Sequence, residues 1–181
     1  VTMSETVYNT NGGSGSLEVS DFALSISGGV ASINTTPSTI SSDGNEYTLG
    51  LTISGTPNGS ETLTVVPSSS SAIYDLAGNA ASTTQSNNTV SLNDTSPPTL
   101  SNVSIVSNNT TNTLAKAGDE ITLTFTASET INEPVVTFQS GSSAITDSSV
   151  TYTNTSGNTW TAKYTANASD TDGSVTYSIA F

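Results

Sequence analysis

An all-β chain of two tandem β-sandwiches is the fold class this sequence predicts, and three observations predict it. Apolar residues alternate with hydroxylated ones in many short runs. Clusters of Gly, Asn and Asp punctuate those runs. Near the middle, Asn93-Asp94-Thr95-Ser96-Pro97-Pro98-Thr99 interrupts them. Its two prolines fix φ and remove two amide donors, so a ladder is not expected to pass through. A closed barrel is the alternative architecture for short strands between such turns.

The strands follow in order. Phe22, Leu24 and Ile26 form one apolar stripe, and Tyr47, Leu49, Leu51 and Ile53 a second. Val90-Ser91-Leu92 reads as the last strand before the interruption; Leu100, Val103 and Ile105 open the first one after it. Ile121, Leu123, Phe125 and Ala127 then share a face, with Thr122, Thr124 and Thr126 on the other. Trp160, Ala162, Tyr164 and Ala166 line up in the same way, which reads Trp160 as a core residue. Val175, Tyr177, Ile179 and Phe181 form the final stripe. Asn11-Gly12-Gly13, Asp43-Gly44-Asn45, Pro57-Asn58-Gly59, Ser156-Gly157-Asn158 and Asp172-Gly173 are among the turns between strands. The expected modules are 1–93 and 99–181, joined by a semi-rigid linker at 94–98.

Composition narrows the function. Only 9 % of residues are charged, against about 25 % in an average globular protein. Ser, Thr, Asn and Gly carry the polarity instead, and they suit sheets and turns rather than helices. Net charge is −13, with Lys116 and Lys163 the only basic side chains and no His. Two lysines cannot replace phosphate counterions, so nucleic acid is not an expected partner. No apolar run approaches the roughly 18 residues of a spanning helix, so membrane insertion is not expected either.

The absence of His and Cys excludes Ser-His-Asp and Cys-His catalysis. Carboxylate pairs of the kind glycosidases use remain: Asp119 with Glu120, Glu129 with Glu133, and Asp170 with Asp172. A hydrolase also needs a cleft with aromatic platforms, so the expectation is no enzyme. No cofactor is required. Calcium is the ion that hard oxygen ligands would hold. Two clusters could supply them: Asn93 and Asp94 with Asp119 or Glu120 at the linker, and Asp170-Thr171-Asp172-Gly173, with its alternate aspartates. The competing reading is that these aspartates close turns through their own backbone; Asp75 is expected to do so within Tyr74–Asn79.

A long-period repeat is also present. Ser4-Glu5-Thr6-Val7 matches Ser128-Glu129-Thr130-Ile131 at an offset of 124 residues, each following the end of an alternating run. The second module has a strand near 100–107 ahead of its matching run, and the first has nothing ahead of Val1. The first continues through Ile73-Tyr74-Asp75-Leu76-Ala77-Gly78-Asn79 to a strand near 88–92, and the second stops at Phe181. The expectation is that the first module lacks its first strand and the second its last. Exposed edges of that kind invite strand addition between copies.

Several of these segments resemble the bacterial immunoglobulin-like (Big) repeat domains. They are Ser4–Val7, Glu18–Phe22, Tyr47–Leu49, Ser54-Gly55-Thr56-Pro57-Asn58-Gly59-Ser60-Glu61-Thr62-Leu63-Thr64-Val65 and Ile73–Ala80, with Ala115-Lys116-Ala117-Gly118-Asp119 leading into Ile121–Phe125 in the second module. The resemblance implies immunoglobulin-like sandwiches and an extracellular or cell-surface place in a large bacterial adhesin or secreted repeat protein. The role it implies is that of a stalk or spacer between adjacent repeats of the same parent chain. The alternatives are a module that binds a glycan or surface partner, favoured by any exposed aromatic cluster near Tyr152, Trp160 and Tyr164, and an accessory domain of a secreted polysaccharide-degrading enzyme.

Overall fold

The computed structural model describes all 181 residues, Val1–Phe181. Backbone packing divides them into two compact units, Val1–Ser96 and Pro97–Phe181. Every regular element is a strand except one 3-10 turn, Val19–Asp21. The chain is all-β.

The first unit contains β1 (Phe22–Ser27), β2 (Ser32–Ile33), β3 (Thr39–Asp43), β4 (Glu46–Gly50), β5 (Ile53–Ser54), β6 (Thr62–Pro67) and β7 (Thr89–Ser91). They form an antiparallel sheet in the order β1-β6-β7, a β3-β4 hairpin and a short β2-β5 pair. Leu17, Phe22, Ala72 and Ile73 are buried together, with Met3, Val7, Tyr47 and Leu49 packed around them. Phe22 of β1 meets Tyr47 of β4 with ring centroids 6.3 Å apart.

The predicted stripe Tyr47-Leu49-Leu51-Ile53 does not continue as one strand. Tyr47 and Leu49 join the core, but Leu51 and Ile53 are each 38 % exposed. The break comes at Gly50, the last residue of β4. A Cβ there would collide with the Thr39 side chain. The chain then leaves the hairpin, and β5 pairs with β2 instead, Ile53 opposite Ile33.

The second unit is a fuller sandwich. Its strands are β8 (Leu100–Ser107), β9 (Glu120–Ala127), β10 (Val135–Ser140), β11 (Ser143–Ala144), β12 (Thr151–Ser156), β13 (Thr159–Thr165) and β14 (Val175–Ala180). One sheet has the order β12-β13-β9-β8, the other β11-β10-β14. The alternation in β9 is strict: Ile121, Leu123, Phe125 and Ala127 are buried and the residues between them are not. This face meets Val136 and Phe138 of β10 and Ala162 and Tyr164 of β13 in one cluster. Phe138 and Tyr164 bridge the two sheets with centroids 4.7 Å apart.

β8 departs from the expected phase. Leu100 and Ile105 pack on the core, but Val103 is 39 % exposed. The register against β9 shifts between Ser101 and Ser104, and Asn102 has φ +50°. Such a bulge inserts one extra residue and moves the following side chains to the opposite face. Leu100 and Ile105, five apart, thereby share a face that an unbroken strand would deny them.

The repeat seen in the sequence has a structural counterpart. Thr2 is bridged to Glu46 as Thr126 is paired with Thr159. The Met3 amide donates to the Asn45 carbonyl at 2.9 Å, and the Ala127 amide to the Asn158 carbonyl at 3.0 Å. Ser4-Glu5 and Ser128-Glu129 are both bends that follow these contacts. Val7 and Ile131 then pack on their respective cores. The turns opposite also match, with Gly44 at φ +59° and Gly157 at φ +53°. Residues Val1–Met3 of the first unit thus stand where the end of β9 stands in the second, and β4 stands where β13 does.

Candidate functional site

Carboxylates are the only catalytically or ligand-competent charged groups present in number, so their placement decides what the chain can do. The most buried is Glu61, whose relative exposure is 0 %. Period two already places Glu61 in phase with buried Leu63, a charge in an apolar stripe, and the site reading of the sequence passes over it. Its Oε1 accepts the Val30 and Ala31 amides at 2.8 and 3.1 Å, and its Oε2 accepts the Asn58 amide at 3.0 Å. The carboxylate thereby clasps the Gly28–Ala31 turn to the loop ahead of β6. Gly29, at φ +57°, is packed so closely that a Cβ would meet the carboxylate itself. Burial pushes the Glu61 carboxyl up, and the amides of Ala31, Val30 and Asn58 outweigh it and hold the group below its usual value.

The aspartates repeat this role at turns. Asp75 accepts the Asn79 amide at 2.8 Å and the Asn79 side chain at 2.7 Å. It organises the Tyr74–Asn79 turn as expected. Asp119 Oδ2 accepts the Asn109 side chain at 2.7 Å and the Lys116 amide at 2.9 Å. Asp170 accepts the Thr146 amide and hydroxyl at 2.8 and 2.7 Å, and the Asn167 amide at 2.9 Å. Asp147, which the sequence did not single out, accepts the Ser149 and Thr165 amides, both at 2.8 Å. Asp147 and Asp170 together stitch the irregular stretch after β11 to the end of β13.

The six residues proposed as metal ligands are distributed differently from the two clusters expected. Asp119 precedes and Glu120 begins β9, whereas Ala127 at its other end is opposite Leu100. A strand of this length spans roughly 23 Å at the usual rise. Asp119 and Glu120 therefore stand at the end of their sandwich away from Thr99, not beside the linker. Glu120 is engaged with Lys163, Nζ to Oε1 at 2.8 Å, on a half-exposed surface; a pair so placed contributes about 0–1 kcal/mol. Asp94 Oδ1 accepts the Ser96 amide at 2.8 Å, and Asn93 lies between it and Leu92, whose amide donates to the Glu61 carbonyl. In the second cluster, Asp170 has the turn contacts above, whereas the Asp172 side chain makes no hydrogen bond within the chain. No three acidic side chains converge on one point.

The linker itself is shorter than 94–98. The Thr95 amide donates to the Pro57 carbonyl at 2.9 Å and the Ser96 hydroxyl to the same carbonyl at 3.1 Å. On the other side, the Thr99 amide donates to Ser128 Oγ at 2.9 Å, and the Ser128 amide to the Thr99 carbonyl at 2.8 Å. Only Pro97 and Pro98 lie between these anchors.

The aromatic residues near the proposed binding face turn inward. Tyr164 is 3 % exposed. Tyr152 and Trp160 are half-buried against the same core. The Tyr152 hydroxyl receives the Val136 amide at 3.1 Å and so ties β12 to β10 across the sandwich.

Among known proteins, the chain matches no family model, no curated sequence and no solved structure.

The clasps make a pH dependence with a definite sign. Hydrogen bonds from Asn79 lower Asp75, those from Asn109 and Lys116 lower Asp119, and those from Thr165 and Ser149 lower Asp147. In Asp170, burial acts upward and the amides of Asn167 and Thr146 prevail, so it too is lowered. The unfolded chain, with ordinary values of 3.8 for Asp and 4.5 for Glu, takes up protons first as pH falls. The stability these groups contribute is fully present above those ordinary values and is lost as pH drops through the lowered ones. The melting midpoint is expected to be flat above about pH 5 and to fall steadily below about pH 4. Calorimetry across that range checks it; a midpoint unchanged at about pH 3 would mean that the clasps contribute nothing.

Proposed function

We propose that the chain is a non-enzymatic spacer: a segment of an extracellular bacterial repeat protein of the Big type, which holds a head or a neighbouring repeat at a distance. Its action is positional. Antiparallel ladders and buried strand faces resist extension in each unit, and the connection sets the reach.

One observation carries this reading. The connecting segment is anchored by hydrogen bonds to Pro57 on one side and Ser128 on the other, leaving two prolines between. Consecutive prolines favour the stiff polyproline conformation, about 3.1 Å per residue. A spacer needs such a joint, whereas a flexible tether would be built from Gly and Ser. The packing of Tyr152, Trp160 and Tyr164 on the core and the engagement of Asp75, Asp119, Asp147 and Asp170 in turns support the same reading over a glycan-binding face.

The joint can be tested directly. With dyes on Thr83→Cys and Asn132→Cys in this cysteine-free chain, the native prolines should give a narrow distance distribution. Replacing Pro97 and Pro98 together by Gly should broaden it while both units keep their melting behaviour. A native distribution as broad as that of the Gly-Gly variant would remove the basis for a spacer.

A further inference from the structure

One peptide group of the first unit is gripped from both sides. The Pro57 carbonyl accepts the Thr95 amide at 2.9 Å and the Ser96 hydroxyl at 3.1 Å. The other half of the same peptide group, the Asn58 amide, donates to Glu61 Oε2 at 3.0 Å. A peptide group is a rigid plane, so its N–H and C=O turn together. A rotation that takes the N–H off the carboxylate also takes the carbonyl off Thr95 and Ser96. Donation to a charged acceptor is the stronger kind of hydrogen bond, and it polarises the group so that its carbonyl accepts better.

Glu61 reaches the same segment through its main chain. Its carbonyl accepts the Leu92 amide at 3.0 Å, just ahead of Asn93 and Asp94. Between these contacts Gly59 takes φ +79°, and a Cβ on it would stand 3.2 Å from the Asp94 Cβ. Glycine adopts that conformation freely and leaves Asp94 its place. Leu92–Ser96 is thus seated on Pro57–Glu61. The post beneath the seat is fixed, because Glu61 is fully buried and its Oε1 is held by the Val30 and Ala31 amides. A carboxylate that served the Gly28–Ala31 turn alone would need only Oε1. Its Oε2 goes to the peptide group that carries the linker.

Taking the chain as a spacer, on which reading this rests, we infer that Glu61 is the positioning residue of the joint. Through the Pro57–Asn58 peptide it fixes where the chain leaves the first unit. A buried carboxylate, and not the two prolines alone, then sets how stiff the connection is.

The experiment follows single amides and the labelled pair at Thr83→Cys and Asn132→Cys, at a temperature where the first unit is folded. Glu61→Gln should speed exchange of the Thr95 amide about fivefold, the loss of one ordinary hydrogen bond, and should broaden the distance distribution toward that of the Gly-Gly variant. Ile73→Ala is the control. It removes packing among buried Leu17, Phe22 and Ala72 and lowers the midpoint of the same unit, but it should change neither readout. Ser96→Ala tests the link from the other end and leaves every carboxylate in place. It should speed exchange at Asn58, because coupling between two contacts acts in both directions. A native distribution as broad as the Gly-Gly variant's would remove the spacer reading, whereas the amide rates report on the seat whatever the distribution. Unchanged Thr95 exchange in folded Glu61→Gln, equal loosening by Ile73→Ala, or an Asn58 amide indifferent to Ser96→Ala would overturn the assignment of Glu61.

Discussion

Phe125→Ala is expected to lower the stability of the second unit by about 3–5 kcal/mol. Phe125 is 0 % exposed at the middle of the central β9 face, where the two sheets meet. Truncation removes most of a ring and leaves a hole that the neighbouring Leu123, Phe138, Ala162 and Tyr164 cannot close, because they are held by ladders on both sides. For a domain of this size each kcal/mol shifts the midpoint by about 4–8 °C, so the transition of the second unit should move by more than about 12 °C. Phe125→Leu, which keeps most of the volume, should cost about 1 kcal/mol. Amide signals followed separately in each unit through a denaturant melt would read the result. The first unit should be untouched, and a loss shared equally by both would show that they do not unfold independently.

Glu61→Gln is the second large effect, and it should exceed what the loss of one charge at a surface would produce. Three amides converge on two carboxylate oxygens. A glutamine retains one oxygen and turns an NH2 toward the other donor site, so at least one buried amide faces another donor. The midpoint of the first unit is expected to fall by on the order of 10 °C, with faster amide exchange at Val30, Ala31 and Asn58. Gly29→Ala should injure the same clasp from the opposite side, and the double variant should be much less than additive. Full additivity would show that Gly29 and Glu61 act separately. At a pH low enough to protonate Glu61 the difference between Glu and Gln should shrink.

The strands were legible because period-two alternation is a direct imprint of a half-buried sheet. β9, β13 and β14 lie where Ile121–Ala127, Trp160–Ala166 and Val175–Phe181 place them, to within a residue at either end, but in β14 only Val175 and Ile179 of the apolar stripe pack on the core, and Tyr177 and Phe181 are exposed. What the pattern could not carry was a change of partner. Leu51 and Ile53 continue the alternation of Tyr47 and Leu49, yet the chain exchanges one neighbour for another at Gly50. Val103 keeps its apolar character but loses its place to the bulge at Asn102. The candidate metal ligands were less legible still. Aspartates two apart, or flanking a proline pair, look alike whether they face an ion or their own backbone amides. Asp170 and Asp119 face the amides, and only the folded loop distinguishes the two. Glu61 had a visible signal, a charge in phase with Leu63, whose meaning depended on a turn thirty residues away.

The matching turns at Asn45 and Asn158 show how much of a local arrangement the main chain alone can carry. The two halves share main-chain contacts, amide to carbonyl and bend to bend, where some residues are the same, Thr2 and Thr126 or Asn45 and Asn158, and others differ, Met3 against Ala127 or Glu46 against Thr159. Main-chain pairing is indifferent to the side chain that happens to be attached. Side chains at such places can therefore be exchanged while the hydrogen bonds that join the segments stay the same, so one backbone arrangement accommodates several local sequences.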